Sequence, residues 1–339
     1  MSEITTIGMD VAKTVFHVVC CDRRGKVINR KQLRRSQVLP FFAQRSACLV
    51  GMEACAGTHY WARELGALGH EVKLIPPQFV KAFLRGNKND YNDALAISEA
   101  VRQPEMRFVA VKTPEQQDIQ ALHRLRERRI RDRTAIANQV RGLLAEYGIV
   151  LPQGMATLRR RLPELLEETD NGLSDLFRRL LAQSYQQLVE LDAHIDTFTG
   201  EIEQQAAHSE PCQRLVSIPG FGPIVASVFY SVVGHGTGFR RGRDVSASLG
   251  LVPRQHSSGG KDRLLGISKC GDRYLRSLLC HGARAVVIQA QKKDDPLSRW
   301  INRIRAERGY NKATVALANK MARMGWAVLH NRTTYRAAV

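Results

Sequence analysis

Two short apolar runs early in the chain constrain its fold more than any other feature. Ile4-Thr5-Thr6-Ile7-Gly8-Met9 ends at Asp10, and Cys48-Leu49-Val50-Gly51-Met52 ends at Glu53. Each places a lone carboxylate at the end of a β-like segment, with glycine two residues before it. Continuous apolar runs of this length predict strands buried on both faces, where an acid is costly without a partner. A third acidic element supplies partners. Asp90 and Asp93 open a helical pattern whose apolar stripe is Ala94, Ile97, Ala100 and Val101. Residues three apart share a helix face, and the helix dipole offsets their repulsion only in part. If the two strands are neighbours and this helix packs over their ends, Asp10, Glu53, Asp90 and Asp93 converge. Clustered carboxylates of this kind call for a divalent cation, and hard oxygen ligands favour Mg2+, with Mn2+ as a substitute.

The surrounding residues supply a sheet for these strands. Val15, Phe16, Val18 and Val19 form a second run, and Asp22 to Lys26 turn the chain into Val27-Ile28. A helical pattern with Trp61, Leu65 and Leu68 precedes a further run at Val72 to Ile75. Strands alternating with helices after an initial hairpin predict a mixed α/β sheet over residues 1–110. Lys88, beside Asp90, is open to two readings: a phosphate contact at the metal site or a local counter-charge.

From Pro114 the period becomes helical, through Ile119, Leu122, Ile136, Val140 and Leu144. After a break at Gly148 to Gly154, Leu188, Leu191, Ile195, Phe198 and Ile202 follow heptad spacing. Residues 111–210 therefore read as a helical hairpin, either an arm that pairs subunits or a plain spacer.

The net charge of +19 is unevenly spread: +6 over residues 1–110, −3 over 111–210 and +16 over 211–339. Such a basic final third points to a polyanion, and nucleic acid fits better than a membrane because no long apolar span or lipidation motif is present. Ile218-Pro219-Gly220-Phe221-Gly222 resembles a helix-hairpin-helix turn, in which Gly220 and Gly222 would let the backbone approach a phosphate. Arg240, Arg241, Arg254, Lys261, Arg263, Lys269 and Arg273 are the further candidate nucleic-acid contacts. The seven cysteines are odd in number and without a CxxC pair, and mostly lie in apolar runs. With no signal-peptide pattern at Met1-Ser2-Glu3, they predict reduced, buried thiols in a cytoplasmic protein.

Taken in order, Gly8-Met9-Asp10-Val11-Ala12-Lys13, Gly51-Met52-Glu53-Ala54, Lys88 to Ala94, Ile218 to Gly222, and Ser258-Gly259-Gly260 followed by Ile267 to Asp272 resemble insertion-sequence family 110 transposases. These are DEDD-type, bridge-RNA-guided recombinases, and the resemblance covers nearly the whole chain. It implies a RuvC-like, RNase H-type domain (1–110), a coiled-coil arm (111–210) and a mainly α transposase domain (211–339). It also implies catalysis by Asp10, Glu53, Asp90 and Asp93 as metal ligands with Ser258 as nucleophile; Ser257 stands adjacent. Donor and target DNA, a noncoding bridge RNA and further copies of the chain, from dimer to tetramer, are the implied partners. Two other readings stay open: a metal-dependent, structure-selective nuclease resembling Holliday-junction resolvases that uses water, and a noncatalytic nucleic-acid-binding scaffold.

Overall fold

Side chains of β1 (Thr6–Asp10) and β2 (Val15–Cys21) alternate between two buried faces of one sheet. The computed structural model describes residues 3–87 and 89–337, which fall into two compact units, Met1–Pro114 with Gly236–Arg240 and Glu115–His235 with Arg241–Val339. In the first unit, β3 (Val27–Arg34), α1 (Val38–Ala43), β4 (Leu49–Glu53), α2 (Thr58–Ala67), β5 (Glu71–Ile75), α3 (Pro77–Val80) and α4 (Asp90–Ala100) follow in turn. The sheet is five-stranded in the order β3-β2-β1-β4-β5. β1, β4 and β5 run parallel, while β2 and β3 are antiparallel additions. Ile7, Met9, Phe16, Val18 and Cys20 pack on one face with Phe42, Trp61 and Leu65. Val19 and Cys21 meet Ala94 of α4 on the other.

A pair of glycines lets α4 lie close on that second face. Gly8 and Gly51 are opposite in the parallel register of β1 and β4. A Cβ on Gly8 would stand 2.1 Å from the Ala94 carbonyl oxygen, and one on Gly51 would stand 2.8 Å from Val101 Cβ. Any side chain there would lift the helix off the sheet. The expected stripe Ala94, Ile97, Ala100 and Val101 is buried beneath it.

The second unit begins with three helices where the periodicity predicts two. α5 (Pro114–Ala145) and α7 (Asp175–His208) are the expected pair. Between them, α6 (Met155–Glu167) inserts Leu158, Leu162 and Leu165 into one core with Val140, Leu144, Leu181 and Leu188. Arg159 to Arg161 and an internal Pro163 hide this stripe in the sequence. Asp192 joins the three helices: it pairs with Arg133 of α5 at 2.8 Å and with Arg159 of α6. Leu188, Ile195 and Ile202 of the heptad seam are thus buried within the chain, while Leu191 and Phe198 are half-buried.

The rest of this unit comprises α8 (Glu210–Val216), α9 (Pro223–Val233), α10 (Gly242–Ser248), β6 (Pro253–Gln255), β7 (Leu264–Ile267), α11 (Arg273–Gln289), α12 (Pro296–Arg308) and α13 (Tyr310–Asn331). Apart from the β6–β7 hairpin it is α-helical. All seven cysteines are free, but Cys55 and Cys270 are exposed, so the expectation of buried thiols holds fully only for Cys20, Cys21, Cys48 and Cys212. No helix among the described residues is long and apolar enough to cross a membrane.

Candidate active site

The strand ends and the start of α4 bring the acids of the first unit together. Asp10 closes β1 and stands opposite His17 of β2 in the antiparallel register. Glu53 closes β4, one step beyond the Met9–Met52 pair, and therefore lies beside Asp10 at the carboxyl end of the parallel strands. α4 starts above them. Asn89 caps it by accepting from the Tyr91 N–H at 2.9 Å, which fixes Asp90 and Asp93 in the first turn.

Three ligand atoms, one each from Asp10, His17 and Asp90, lie within 4.8 Å of one another. His17 Nδ1 is 3.4 Å from Asp90 Oδ2, and its ring packs edge-on against Tyr91 with centroids 4.8 Å apart. An octahedral ion with bonds of about 2.1 Å sets adjacent ligands ~3 Å and opposite ligands ~4.2 Å apart, a spacing close to this one. Burial, followed by the charges of Asp93 and Asp90, raises the Asp10 carboxyl above the ordinary aspartate value, while His17 opposes the rise. The nearby Cys55 thiol is pushed up by burial and then by Glu53 and Asp10, so the fields of those two carboxylates overlap there. Two carboxylates and one imidazole at a half-buried point offer donor types that a divalent cation takes.

His17 escapes the sequence reading because only the hairpin register places it across from Asp10. The available signal is a polar ring in the otherwise apolar run Val15 to Cys21. The tight cluster holds Asp10 and Asp90; Glu53 adjoins it through the strand register, and Asp93 acts on it through charge. Lys88 lies outside the described residues.

In the second unit, the β6–β7 hairpin carries Arg254, Ser258, Lys261 and Arg263, all exposed. Ser258 and Lys261 bracket the turn, with the Lys261 N–H donating to the Ser258 carbonyl at 3.1 Å. Gly259 and Gly260 hold φ of 55° and 76°, the left-handed values that a two-residue hairpin turn needs. The adjacent serines differ. Ser257 Oγ accepts from the Arg263 N–H at 3.2 Å and from Gln255 Nε2 at 3.0 Å. Ser258 Oγ has no hydrogen bond among the described residues.

The remaining candidate contacts are dispersed. Lys269 and Arg273 are exposed, before and at the start of α11. Arg241 lies 3.9 Å from Asp244, whereas Arg240 sits in the segment belonging to the first unit, 3.4 Å from Glu105. Both glycines are partly exposed; Gly222 has open space where a Cβ would stand, and Gly220 does not. A Cβ there would meet Met321 Cε at 2.8 Å and the Gly282 carbonyl at 3.0 Å, so close helix packing also calls for glycine.

Residues 212–297 match the family described as Transposase IS116/IS110/IS902, and residues 7–149 match the DEDD transposase family of IS110. A probable family 20 transposase of Pseudomonas aeruginosa is 47% identical over 98% of this chain and 99% of its own length. The chain belongs to the IS110/IS116/IS902 transposase family. Two other members illustrate its range. The transposase for insertion sequence element IS1111A of Coxiella burnetii is 44% identical over 99% of this chain and 92% of its own. That for IS1328 of Yersinia enterocolitica is 41% identical over 99% of each. Family membership makes this an enzyme of DNA transposition, with DNA as its substrate.

Proposed function

We propose that this transposase cleaves and rejoins DNA at a divalent-cation site built by Asp10, Glu53, Asp90 and Asp93, with Ser258 as nucleophile. The observation that carries the metal reading is the convergence of Asp10, His17 and Asp90 within 4.8 Å at the strand ends. His17 adds an imidazole nitrogen to an oxygen set, which suits Mn2+ as well as Mg2+. The sheet order, with two antiparallel strands beside a parallel set, supports an RNase H-type, RuvC-like domain. When bound, the cation would polarise the scissile phosphate and offset charge on the attacking and leaving oxygens.

The Ser258 hydroxyl attacks phosphorus. Its Oγ–P bond forms as the P–O3′ bond breaks, the serine proton leaves, and the departing 3′-oxygen is protonated. One phosphodiester replaces another, so a 3′-hydroxyl from the partner strand reverses the link without ATP. The contrast between Ser257, whose hydroxyl braces the hairpin, and Ser258 supports the assignment to Ser258. Guidance by an element-encoded bridge RNA and assembly as a dimer or tetramer rest on the family resemblance. The basic chain suits both nucleic acids.

The test is a denaturing gel of labelled DNA incubated with protein and Mg2+. A denaturant-resistant adduct is expected for the wild type and Ser257→Ala, and none for Ser258→Ala or Asp10→Ala. Cleavage by Ser258→Ala without an adduct would establish hydrolysis by water instead. Strand breakage indifferent to chelation would establish a noncatalytic scaffold with a contaminating nuclease. Sequencing RNA that copurifies with the protein tests guidance: one discrete element transcript supports it, and random cellular RNA refutes it.

A further inference from the structure

A pocket of about 770 Å³ opens in the first unit, lined by Lys13, Thr14, Arg34, Arg35, Tyr60 and Trp61. It lies at the carboxyl end of β1 and β4, the end that carries Asp10 and Glu53. Lys13 follows Asp10 by three residues, so the two stand at most roughly 11 Å apart along the chain. It opens on the sheet face that packs Trp61, across the sheet from the face on which Gly8 and Asp10 meet α4, and it belongs to none of the machinery assigned above.

Its walls are fixed by the fold. Arg34 is opposite Val15 in the β2–β3 register, and the Arg35 N–H donates to the Thr14 carbonyl at 2.9 Å. The Arg35 guanidinium lies 5.0 Å from the Trp61 ring centroid, and one of its amines reaches the Lys13 carbonyl at 3.5 Å. Trp61 is held edge-on against Phe16 in the core, and Tyr60 packs edge-on against Trp61. Tyr60 itself remains 40% exposed.

The chemistry is one-sided. Lys13, Arg34 and Arg35 are all exposed, no carboxylate lines the pocket, and none of the three forms an ion pair among the described residues. Among the described residues Lys13 and Arg34 have no counter-charge, and Arg35, whose guanidinium lies over Trp61 and 6.0 Å from the Tyr60 ring centroid, adds a third cation, so the cavity favours an anion. An exposed ring beside them favours a planar, apolar face. Cations that follow a phosphate backbone, with an aromatic side chain for a base to stack on, are how proteins hold unpaired nucleotides.

We infer that this pocket seats an unpaired nucleotide at the end of the sheet that carries the acidic site, its base against the exposed part of Tyr60 and its phosphates on Lys13, Arg34 and Arg35. The inference rests on the acidic site being where the strand is cut, and not on the serine chemistry. Unstacking one nucleotide there would anchor the strand from the side while the acids address its backbone.

Binding tests this directly. The full-length protein, with chelator present to prevent cleavage, is titrated against single-stranded DNA and single-stranded RNA of about twenty nucleotides and a hairpin duplex, by fluorescence anisotropy. Tyr60→Ala should weaken binding of one or both single strands about 5- to 150-fold, and that of the duplex far less. Tyr60→Phe should restore it. The strand that responds, DNA or RNA, identifies the occupant. Lys13→Ala, on an exposed loop and safe for folding, should lower the salt slope on single strands by about 0.7. Unchanged binding in both Tyr60→Ala and Lys13→Ala, or equal losses on duplex and single strands, would overturn the inference. So would Tyr60→Phe binding as weakly as Tyr60→Ala. Ser258→Ala should bind as the wild type does, so failure at this pocket and failure of the serine reading show up in different assays.

Discussion

Replacing Asp10 with asparagine should stabilise the metal-free protein while ending DNA cleavage. Asp10 and Asp90 present ligand atoms within 4.8 Å of each other. Two like charges at that separation repel by about 3.5 kcal/mol at an effective dielectric of 20, and by about 0.9 kcal/mol in bulk water. The Asp90 side chain is 62% exposed, which places the pair toward the screened limit, and His17 returns part of the cost by attraction. The net relief in Asp10→Asn is therefore about 1 kcal/mol, or roughly 2–4 °C in Tm for the melting of a domain of moderate size. The sign in pH follows from the raised Asp10 carboxyl. Its folded form binds the proton more tightly than the unfolded chain does, so stability falls as pH rises from the ordinary aspartate value through the raised one. Above that window the wild type carries the full penalty, and there the variant gains most. Differential scanning fluorimetry in chelator at neutral pH, repeated with millimolar Mg2+ or Mn2+, reads both effects. The wild type should gain Tm with metal, and Asp10→Asn should begin higher and respond weakly. A lower Tm for the variant in chelator, or the same metal response as the wild type, would refute the reasoning.

Other perturbations probe the scaffold. Gly8→Ala would force a methyl to 2.1 Å from the Ala94 carbonyl and should cost at least about 3 kcal/mol in urea unfolding, with loss of cleavage because α4 carries Asp90 and Asp93. The buried His123 bonds Ser227 at 2.9 Å and Tyr274 at 3.1 Å, and burial followed by Arg126 lowers its pKa to about 4. Its neutral form contributes stability that is present above pH 6.5 and lost as pH falls toward 4, on the order of 3 kcal/mol. Chemical denaturation across that window should show a shallower slope in His123→Gln. Leu162→Ala, in the core shared by α5, α6 and α7, should cost about 2–5 kcal/mol by the same denaturation. A thiol reagent should modify exposed Cys270 quickly in the native state, Cys55 more slowly because its thiol is pushed up by burial and the neighbouring carboxylates, and buried Cys20, raised to about 11, only on unfolding.

The acids of the site were legible in the sequence because a carboxylate closing an apolar strand is conspicuous wherever it occurs. Hydrophobic period likewise disclosed the sheet strands, α4, α5 and α7. It failed at α6, where Arg159 to Arg161 and Pro163 mask an apolar stripe that only α5 and α7 make necessary. Sequence reads Gly220 as a phosphate contact, and the fold adds a second reason for glycine there, the close approach of Gly282 and Met321.

Sequence by itself determined which side chains carry charge, which runs seek burial and where helical and extended periods change, since all of these are local properties. Tertiary structure decided what faces what. His17 meets Asp10 and Asp90 because of a strand register, the glycines before Asp10 and Glu53 align to admit α4, and Lys13, Arg34 and Tyr60 share one cavity although the chain separates them widely. Proximity of that kind follows from how the strands pair and how the helices pack on them, which no local stretch encodes alone.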